Sequence, residues 1–172
     1  MMALTPRARR FALTAHIVSS VGWLGAVVVY LVLAVTALTG HDAQTVRAVY
    51  PAMELTVGFV IVPASLVSLL TGVICSLGTA WGLLRHYWVL AKLLLTVLAT
   101  PVLLMYARSI GHVADVTTRT SPSGAVPDAL RDPTHALHSG GGLLVLLAAT
   151  ALAVYKPRGM TGYGLRARSR AS

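Results

Sequence analysis

Two ionisable side chains, His16 and Lys92, lie inside long apolar runs of this sequence. Charged or titratable residues within membrane-spanning helices usually face the protein interior and serve a function, because hydrocarbon solvates them poorly. Each of the two lies about five residues inside the start of its apolar run, or about 8 Å along a helix axis. We therefore expect His16 and Lys92 at the same depth, provided that both runs start at the same face of a membrane.

The neighbours of these two residues at helical spacing predict a shared pocket. Residues three, four or seven positions apart lie on one face of a helix. That face carries His16, Ser20 and Trp23 in the first run, and Trp88 and Lys92 in the third. Turned inward, the two faces would enclose a polar pocket walled by the two tryptophans. Structural alternatives remain open: Lys92 could extend back to the lipid headgroups, His16 could bond to Ser20 or a backbone carbonyl, and Trp88 could belong to an interfacial aromatic belt.

A second group of histidines lies near the opposite ends of the runs. His135 and His138 are three residues apart and could share a helix face, His112 follows the third run, and Glu54 offers a nearby carboxylate. Imidazole and carboxylate groups suit copper or zinc. The sequence therefore offers His112, His135 and His138 as an alternative metal site, although exposed loop histidines would give the same pattern.

The composition indicates which elements must position these residues. Of the 172 residues, 56% are hydrophobic and 11% are charged, whereas soluble domains carry about 25% charged residues. A membrane-spanning helix needs about 20 mainly apolar residues, and four segments qualify: about 11–38, 51–77, 87–110 and 136–155. We expect an all-α integral membrane four-helix bundle over residues 1–158, followed by a basic, disordered tail over 159–172.

The basic residues are distributed unevenly along the chain, which carries a net charge of +9. Most of them precede the first run, lie in the second connection or follow the last run: Arg7, Arg9, Arg10, Arg85, Lys156, Arg158, Arg166, Arg168 and Arg170. The positive-inside rule then predicts that both termini are cytoplasmic, in a bacterial inner membrane. The expected partners are the bilayer and anionic lipid headgroups at the basic tails. Nucleic acid is not expected, and a homo-oligomer remains open.

The sequence contains none of the common hydrolytic or nucleotide-binding motifs that we sought: a Walker loop, a CxxC pair, an HExxH helix or a GxSxG elbow. The single cysteine, Cys75, excludes an internal disulfide and is interpreted as a small apolar helix residue. Hydrolytic chemistry therefore has no visible apparatus.

Several segments resemble a known membrane family. "AHIVSSVGWLGAVVVYLVL", "YPAMELTVGFVIVP" and "WVLAKLLL" resemble the first three helices of the HemJ-type protoporphyrinogen oxidases. That resemblance implies a helical bundle that binds haem b, with the helix histidine at His16 and the helix lysine at Lys92. Two departures stand out: the family has a histidine where this chain has Leu90, and it usually has an additional C-terminal helix.

Other segments, "PASLVSLLTG", "WGLLRHYWVLAK" and "HSGGGLLVLLAATALAVYKPRGMTGYG", resemble uncharacterised bacterial membrane proteins related to HemJ and to the copper-resistance CopD type. This second resemblance implies the fold and His138 as a shared feature, but no established reaction.

The leading functional prediction is a haem-b protein for electron transfer or redox sensing, which could be an oxidoreductase. His16 would be an axial ligand, and Lys92, His86 or His138 would supply a second ligand or a propionate contact, beside Trp23 and Trp88. The alternatives are a HemJ-like protoporphyrinogen IX oxidase, a CopD-like copper-handling or transport protein, and a cofactor-free membrane scaffold.

Overall fold

The computed structural model describes residues 4–78, 82–119 and 130–169 of the chain. Within these ranges the backbone is almost entirely helical and contains no β-strand. Six α-helices and one π-helical turn follow in order: α1 (Pro6–Thr39), α2 (Ala43–Thr56), the π turn (Val57–Ile61), α3 (Val62–Leu77), α4 (Tyr87–Arg119), α5 (Thr134–Tyr155) and α6 (Gly162–Ser169).

Four helical stretches are long and apolar enough to cross a membrane: Pro6–Thr39, Ala43–Leu77, Tyr87–Asp115 and Thr134–Tyr155. The second stretch is continuous through α2, the π turn and α3. These findings confirm the predicted all-α architecture with four membrane-length helices. The 34 residues of α1 span about 50 Å, which exceeds the roughly 30 Å of a bilayer's hydrocarbon core. The ends of this helix must therefore extend beyond the hydrocarbon.

The start of α4 at Tyr87 and the ends of α3 at Leu77 and of α5 at Tyr155 agree with the predicted runs, whereas other helix boundaries lie outside them. Helix α1 begins at Pro6 rather than near residue 11, because Thr5 caps it by accepting a hydrogen bond from the Ala8 N–H at 3.3 Å. Proline suits this first position, since the N–H that it lacks has no partner there anyway. Helix α4 continues to Arg119 rather than ending near 110. Hydrophobicity marks the membrane-embedded part of a helix, whereas capping groups decide where it starts.

The predicted first loop is wrong for residues 43–50, which form the first turns of α2. Asp42 caps this helix: its carboxylate accepts hydrogen bonds from the backbone N–H of Gln44 at 3.4 Å and of Thr45 at 2.7 Å. An aspartate at this position satisfies N–H groups that the helix itself leaves unpaired. Pro51 consequently lies inside α2 and does not begin it.

The π turn precedes Pro63, the proline that the sequence placed inside the second run. The Val62 N–H bonds to the Val57 carbonyl, five residues back instead of four. A proline ring clashes with the carbonyl four residues before it and offers that carbonyl no proton. A wider turn at this point relieves the clash and keeps the helix continuous.

Helix α1 is the centre of the bundle and contacts α2, α3 and α5, while α4 packs against α2, α3 and α5. The best-packed core lies towards the C-terminal half of α1, where Val46, Tyr50 and Met53 are fully buried with Ile110. Arg131 closes this end of α1, because its guanidinium donates to the carbonyls of Leu38 at 3.3 Å and Gly40 at 3.0 Å. We call this end of the bundle the acidic end, since every described Asp and Glu lies in its half.

The opposite end, which we call the basic end, gathers the start of α1, the α3–α4 connection and the end of α5. Residues 159–169 were predicted to be disordered, but the structure has α6 there, docked on this connection. Thr161 explains the docking: its N–H donates to the Arg85 carbonyl at 2.9 Å, and its hydroxyl donates to the Leu84 carbonyl at 2.6 Å. The same hydroxyl accepts from the Gly164 N–H at 3.1 Å and so caps α6.

Candidate binding cavity

A cavity of about 420 Å³ lies between the helices in the basic half of the bundle. This volume falls within the range of small-molecule and cofactor sites, about 300–1,000 Å³. Helices α1, α3, α4 and α5 all contribute to its wall, and apolar atoms form most of its surface. Its polar and ionisable lining residues are Arg9, His16, Ser68, Cys75, Ser76, Trp88, Lys92, Thr96 and Lys156.

His16 enters the cavity wall from α1 with one ring nitrogen held by α3. Its Nδ1 lies 3.0 Å from the Ser68 carbonyl oxygen and 3.2 Å from the Thr71 hydroxyl. A carbonyl can only accept, so Nδ1 carries the proton and donates it. In the neutral imidazole the lone pair then lies on Nε2, which has no hydrogen-bond partner among the described residues. A metal-binding histidine typically shows this arrangement, in which the second nitrogen donates to a carbonyl.

Small residues let α1 and α3 approach closely beside this histidine. A Cβ atom added to Gly72 would lie 3.0 Å from His16 Cε1, so glycine leaves the room that the ring occupies. One turn before Gly72 on α3, the hydroxyl of Ser68 lies 2.7 Å from the hydroxyl of Ser20 on α1. Small and hydroxyl-bearing residues are the usual means of close helix contact in membranes. The α1–α3 contact therefore fixes the plane of the His16 ring.

Helix α4 supplies the opposite wall. Trp88, Lys92 and Thr96 all line the cavity, as their four-residue spacing on one helix face requires. The structure thus brings His16, Trp88 and Lys92 to one space. Lys92 is half-buried, and the Thr96 hydroxyl turns back to the Lys92 carbonyl at 2.9 Å.

The other predicted cofactor contacts lie elsewhere. Trp23 shares the His16 face of α1 but lies seven residues further on, about 10 Å along the axis, and it is buried in the packed core. The predicted second tryptophan wall is therefore absent from the cavity lining. His86 precedes α4, lies beside the Trp88 ring and bridges to Met160 of the C-terminal segment, outside the lining.

His138 lies at the acidic end, far from the cavity. On α5 it precedes the lining residue Ala153 by fifteen residues, or about 22 Å. Its Nδ1 lies 2.9 Å from the Thr134 carbonyl oxygen, and its ring stacks on Tyr106 with centroids 4.4 Å apart. Because of this separation, His138 is no partner for a group bound at His16.

His135 belongs to the same aromatic cluster, which is made of Tyr30, Tyr50, Tyr106, His135 and His138. The His135 ring is buried and packs edge-on against Tyr106 at 5.3 Å and Tyr50 at 5.9 Å. Its Nδ1 lies 3.4 Å from the Tyr30 hydroxyl.

The predicted outer copper or zinc site is not assembled in the described ranges. His135 and His138 both contact Tyr106, whereas His112 is exposed on α4. Across residues 4–78, 82–119 and 130–169, no group of three or more His, Cys, Asp or Glu residues is arranged to hold a metal ion.

Sequence reasoning missed several lining residues. Arg9 and Lys156 were interpreted only as topology signals, and Cys75 as an ordinary helix residue, yet all three line the cavity. Ser65, Ser68 and Gly72 form a small-residue face on α3 at spacings of three and four, and this pattern could have identified the contact with α1. By contrast, Gly22 and Gly140–Gly142 have no atom within 4 Å of the position where a Cβ would lie.

Two carboxylates outside the membrane-length helices have perturbed acidity. Hydrogen bonds from the Thr45 side chain and backbone lower the pKa of Asp42. The Thr134 hydroxyl and N–H act in the same way and lower the pKa of Asp132. Hydrogen bonding to the charged form therefore keeps both carboxylates ionised at neutral pH.

In comparisons with known proteins, no family model, no curated protein and no solved structure matches this chain.

Proposed function

We propose that this chain is an integral protein of the bacterial cytoplasmic membrane that binds haem b in the basic-half cavity and uses it for electron transfer or redox sensing. The observation that carries the proposal is the state of His16. Its Nδ1 is held by the Ser68 carbonyl, its Nε2 has no partner among the described residues, and its ring borders a largely apolar space of about 420 Å³.

The residues present fit this cofactor. An axial imidazole needs a lone pair on one nitrogen and a fixed ring plane, and the α1–α3 contact supplies both. The apolar lining suits the faces of a flat macrocycle, and Trp88 adds an aromatic surface. Lys92, which lines the same cavity, would contact a propionate or supply the second ligand. When bound, haem iron would supply reversible one-electron chemistry.

The protein's own contribution would be to orient the bound group and to shield it from water. His16, held through Ser68 and Thr71, would set the position of the bound group. Leu4, Leu69, Val73 and Leu83 in the lining would exclude water from it, and exclusion of solvent tunes a redox potential. The two resemblances seen in the sequence, to HemJ-type oxidases and to CopD-related proteins, support the same class of membrane protein. Both termini would be cytoplasmic, with the basic end facing anionic lipid headgroups.

The test is haem titration of the purified protein in detergent, followed by absorption. We expect a stoichiometric complex in the unmodified protein and an affinity loss of at least about 100-fold in His16→Ala, since an axial ligand is lost. His138→Ala is the matched control, because that histidine also donates Nδ1 to a backbone carbonyl but lies outside the cavity. A protein that binds no haem, or equal binding by His16→Ala, would overturn the proposal.

A further inference from the structure

One edge of the cavity runs along α1. Among the lining residues of this helix, Arg9, Leu13 and Ile17 are exposed, whereas His16 is half-buried. Every lining residue of α3 and α4 is buried or half-buried. Because the three exposed residues are spaced at intervals of four, they form a continuous row about 12 Å long on one side of the helix. We call this row the α1 rim.

Ile17 shows where the rim lies around the helix. Its two neighbours in sequence are His16, on the cavity wall, and Val18, which is exposed and outside the lining. Successive residues of an α-helix are about 100° apart, so Ile17 lies between the cavity face and the outer face of α1. Leu13 and Ile17 are 50% and 52% exposed although both line the cavity. The α1 rim is therefore an open edge on the side of the bundle.

In a membrane this open edge would face lipid. Helix α1 is one of the membrane-length stretches, and Val18 and Val21 beside the rim are 66% and 64% exposed, as expected for a surface that hydrocarbon covers. With Arg9 at the headgroups, as the positive-inside rule places it, Ile17 lies about 12 Å deeper, within the roughly 15 Å of hydrocarbon in one leaflet. The rim thus combines a cation at headgroup depth with two aliphatic side chains at acyl-chain depth.

We infer that the cavity takes up its ligand sideways from the bilayer, across Leu13 and Ile17, and that this ligand is an amphipathic molecule whose polar group lies at the depth of Arg9. The inference rests on the proposed function, which it deepens by naming the route and the ligand class. Apolar atoms form most of the cavity surface. A ligand that passes from acyl chains into such a space keeps its apolar surface out of water throughout, so no hydrophobic cost opposes its transfer.

Cys75 tests this route without haem, because it lines the cavity and is the single cysteine of the chain. The protein in phospholipid vesicles is treated with a long-chain alkyl maleimide dissolved in the bilayer, or with a charged maleimide present in the water on both sides. Each labelling rate is divided by the rate of the same reagent with the denatured protein. We expect the bilayer reagent to label Cys75 at least about 10-fold faster, because its alkyl chain partitions into hydrocarbon.

Substitutions in the rim decide whether the reagent passes there. Leu13→Trp and Ile17→Trp place large rings across the opening and should slow labelling from the bilayer about 10-fold. Val18→Trp and Val21→Trp are the matched controls, since they add the same ring to the same helix outside the lining, and the rate should stay unchanged.

A variant with smaller side chains covers the case in which the tryptophan variants fail to fold. The double variant Leu13→Ala, Ile17→Ala widens the rim and should speed labelling from the bilayer. Unchanged rates in the folded rim variants, or equally fast labelling by the charged reagent, would overturn the lateral route.

Haem supplied from vesicle bilayers gives a second readout. Leu13→Trp should slow association and dissociation by the same factor and leave the affinity unchanged, because an entrance alters the path and not the two end states. His16→Ala should instead lower the affinity, since it removes a ligand.

The two readouts separate this inference from the haem proposal. If the rim variants control the labelling of Cys75 but no haem binds, the lateral route stands and the haem proposal fails. If haem binding needs His16 but neither labelling nor haem association responds to the rim, haem binding stands and the lateral route fails.

Discussion

His16 and His138 make the same hydrogen bond and yet differ in what surrounds them. Each ring donates Nδ1 to a backbone carbonyl, at 3.0 Å from Ser68 and 2.9 Å from Thr134. The His16 ring then borders a cavity of about 420 Å³, whereas the His138 ring is exposed and stacked on Tyr106. A histidine is therefore a candidate ligand because of the space beside its free nitrogen. The hydrogen bond alone does not distinguish the two.

The two halves of the bundle repeat this contrast on a larger scale. Around Tyr50 and Met53 the acidic half has fully buried side chains, and His135 is packed against tyrosine rings. Around His16 and Lys92 the basic half keeps an unfilled volume. In a helical membrane protein close packing supplies much of the stability, so a retained cavity is a cost that a bound ligand would offset.

The largest expected effect comes from truncation in the filled half. Met53→Ala should lower the free energy of unfolding by about 2–5 kcal/mol, because Met53 is fully buried and its removal creates a new void. Leu69→Ala only enlarges an existing cavity and should cost roughly half as much or less. Titration with denaturing detergent measures both. Equal losses would contradict the contrast between the halves.

A smaller effect is expected at the acidic end of α1. Arg131→Met removes both hydrogen bonds to the carbonyls of Leu38 and Gly40 and should destabilise the protein by about 1–2 kcal/mol, since charged donors at a helix C-terminus are favourable. Arg158→Met, an exposed cation at the basic end, should change stability by no more than about 0.5 kcal/mol. Thermal melts in the same detergent would check both.

Two glycines sharpen the comparison, because an added Cβ atom would crowd His16 at one of them and would meet no atom at the other. Gly72→Ala pushes a Cβ to 3.0 Å from His16 Cε1, so the ring must shift, and we expect haem affinity to fall about 10-fold. Gly140→Ala meets no atom within 4 Å and should stabilise α5 by about 0.5–1 kcal/mol with unchanged affinity. If Gly72→Ala left the haem affinity unchanged, the orientation of the His16 ring would not determine haem binding.

The smallest effect concerns acid. The pKa of Asp42 is lowered in the fold by its bonds to Thr45, so its stabilising contribution is complete above the unfolded pKa and is lost as pH falls through the folded value. Asp42→Asn keeps a capping acceptor but does not titrate. We therefore expect the variant to lose slightly less thermal stability than the unmodified protein when the pH is lowered from about 6 to about 3. Greater acid sensitivity in the variant would contradict this sign.

The sequence sufficed for the membrane-embedded fold, because four apolar runs of spanning length allow little other than a helical bundle. It also placed His16, Trp88 and Lys92 near one another, since depth and helical spacing are read directly from residue numbers. The helix starts at Pro6 and Ala43 were missed, because capping bonds from Thr5 and Asp42 extend these helices beyond the apolar runs. The continuation of α4 to Arg119 was missed because the residues after 110 are no longer mainly apolar.

The rest of the site depends on how the helices rotate against one another, and residue spacing does not encode this rotation. Trp23 shares a face with His16 but lies too far along the axis, and His138 lies at the other end of α5. Arg9 and Lys156 looked like markers of orientation, and only the convergence of their helices brought them into the lining of the cavity that His16 also borders. Thr161 gave no recognisable signal, because its partners are carbonyls about 77 residues away.

The π turn at Val57–Ile61 has a consequence for the phase of the second span. Its inward-facing positions Met53, Val57, Ile61 and Ser65 follow three successive steps of four residues, which in a regular helix would rotate the inward face by about 120°. The wider turn absorbs much of this drift, so that Ser68 and Gly72 still face α1. One residue is therefore, in effect, surplus at this point. A single-residue deletion within 57–61 would remove this surplus and leave a separation of eleven residues between Met53 and Ser65, close to three turns of a regular helix, so α3 would keep its phase towards α1 and His16 would keep its carbonyl partner.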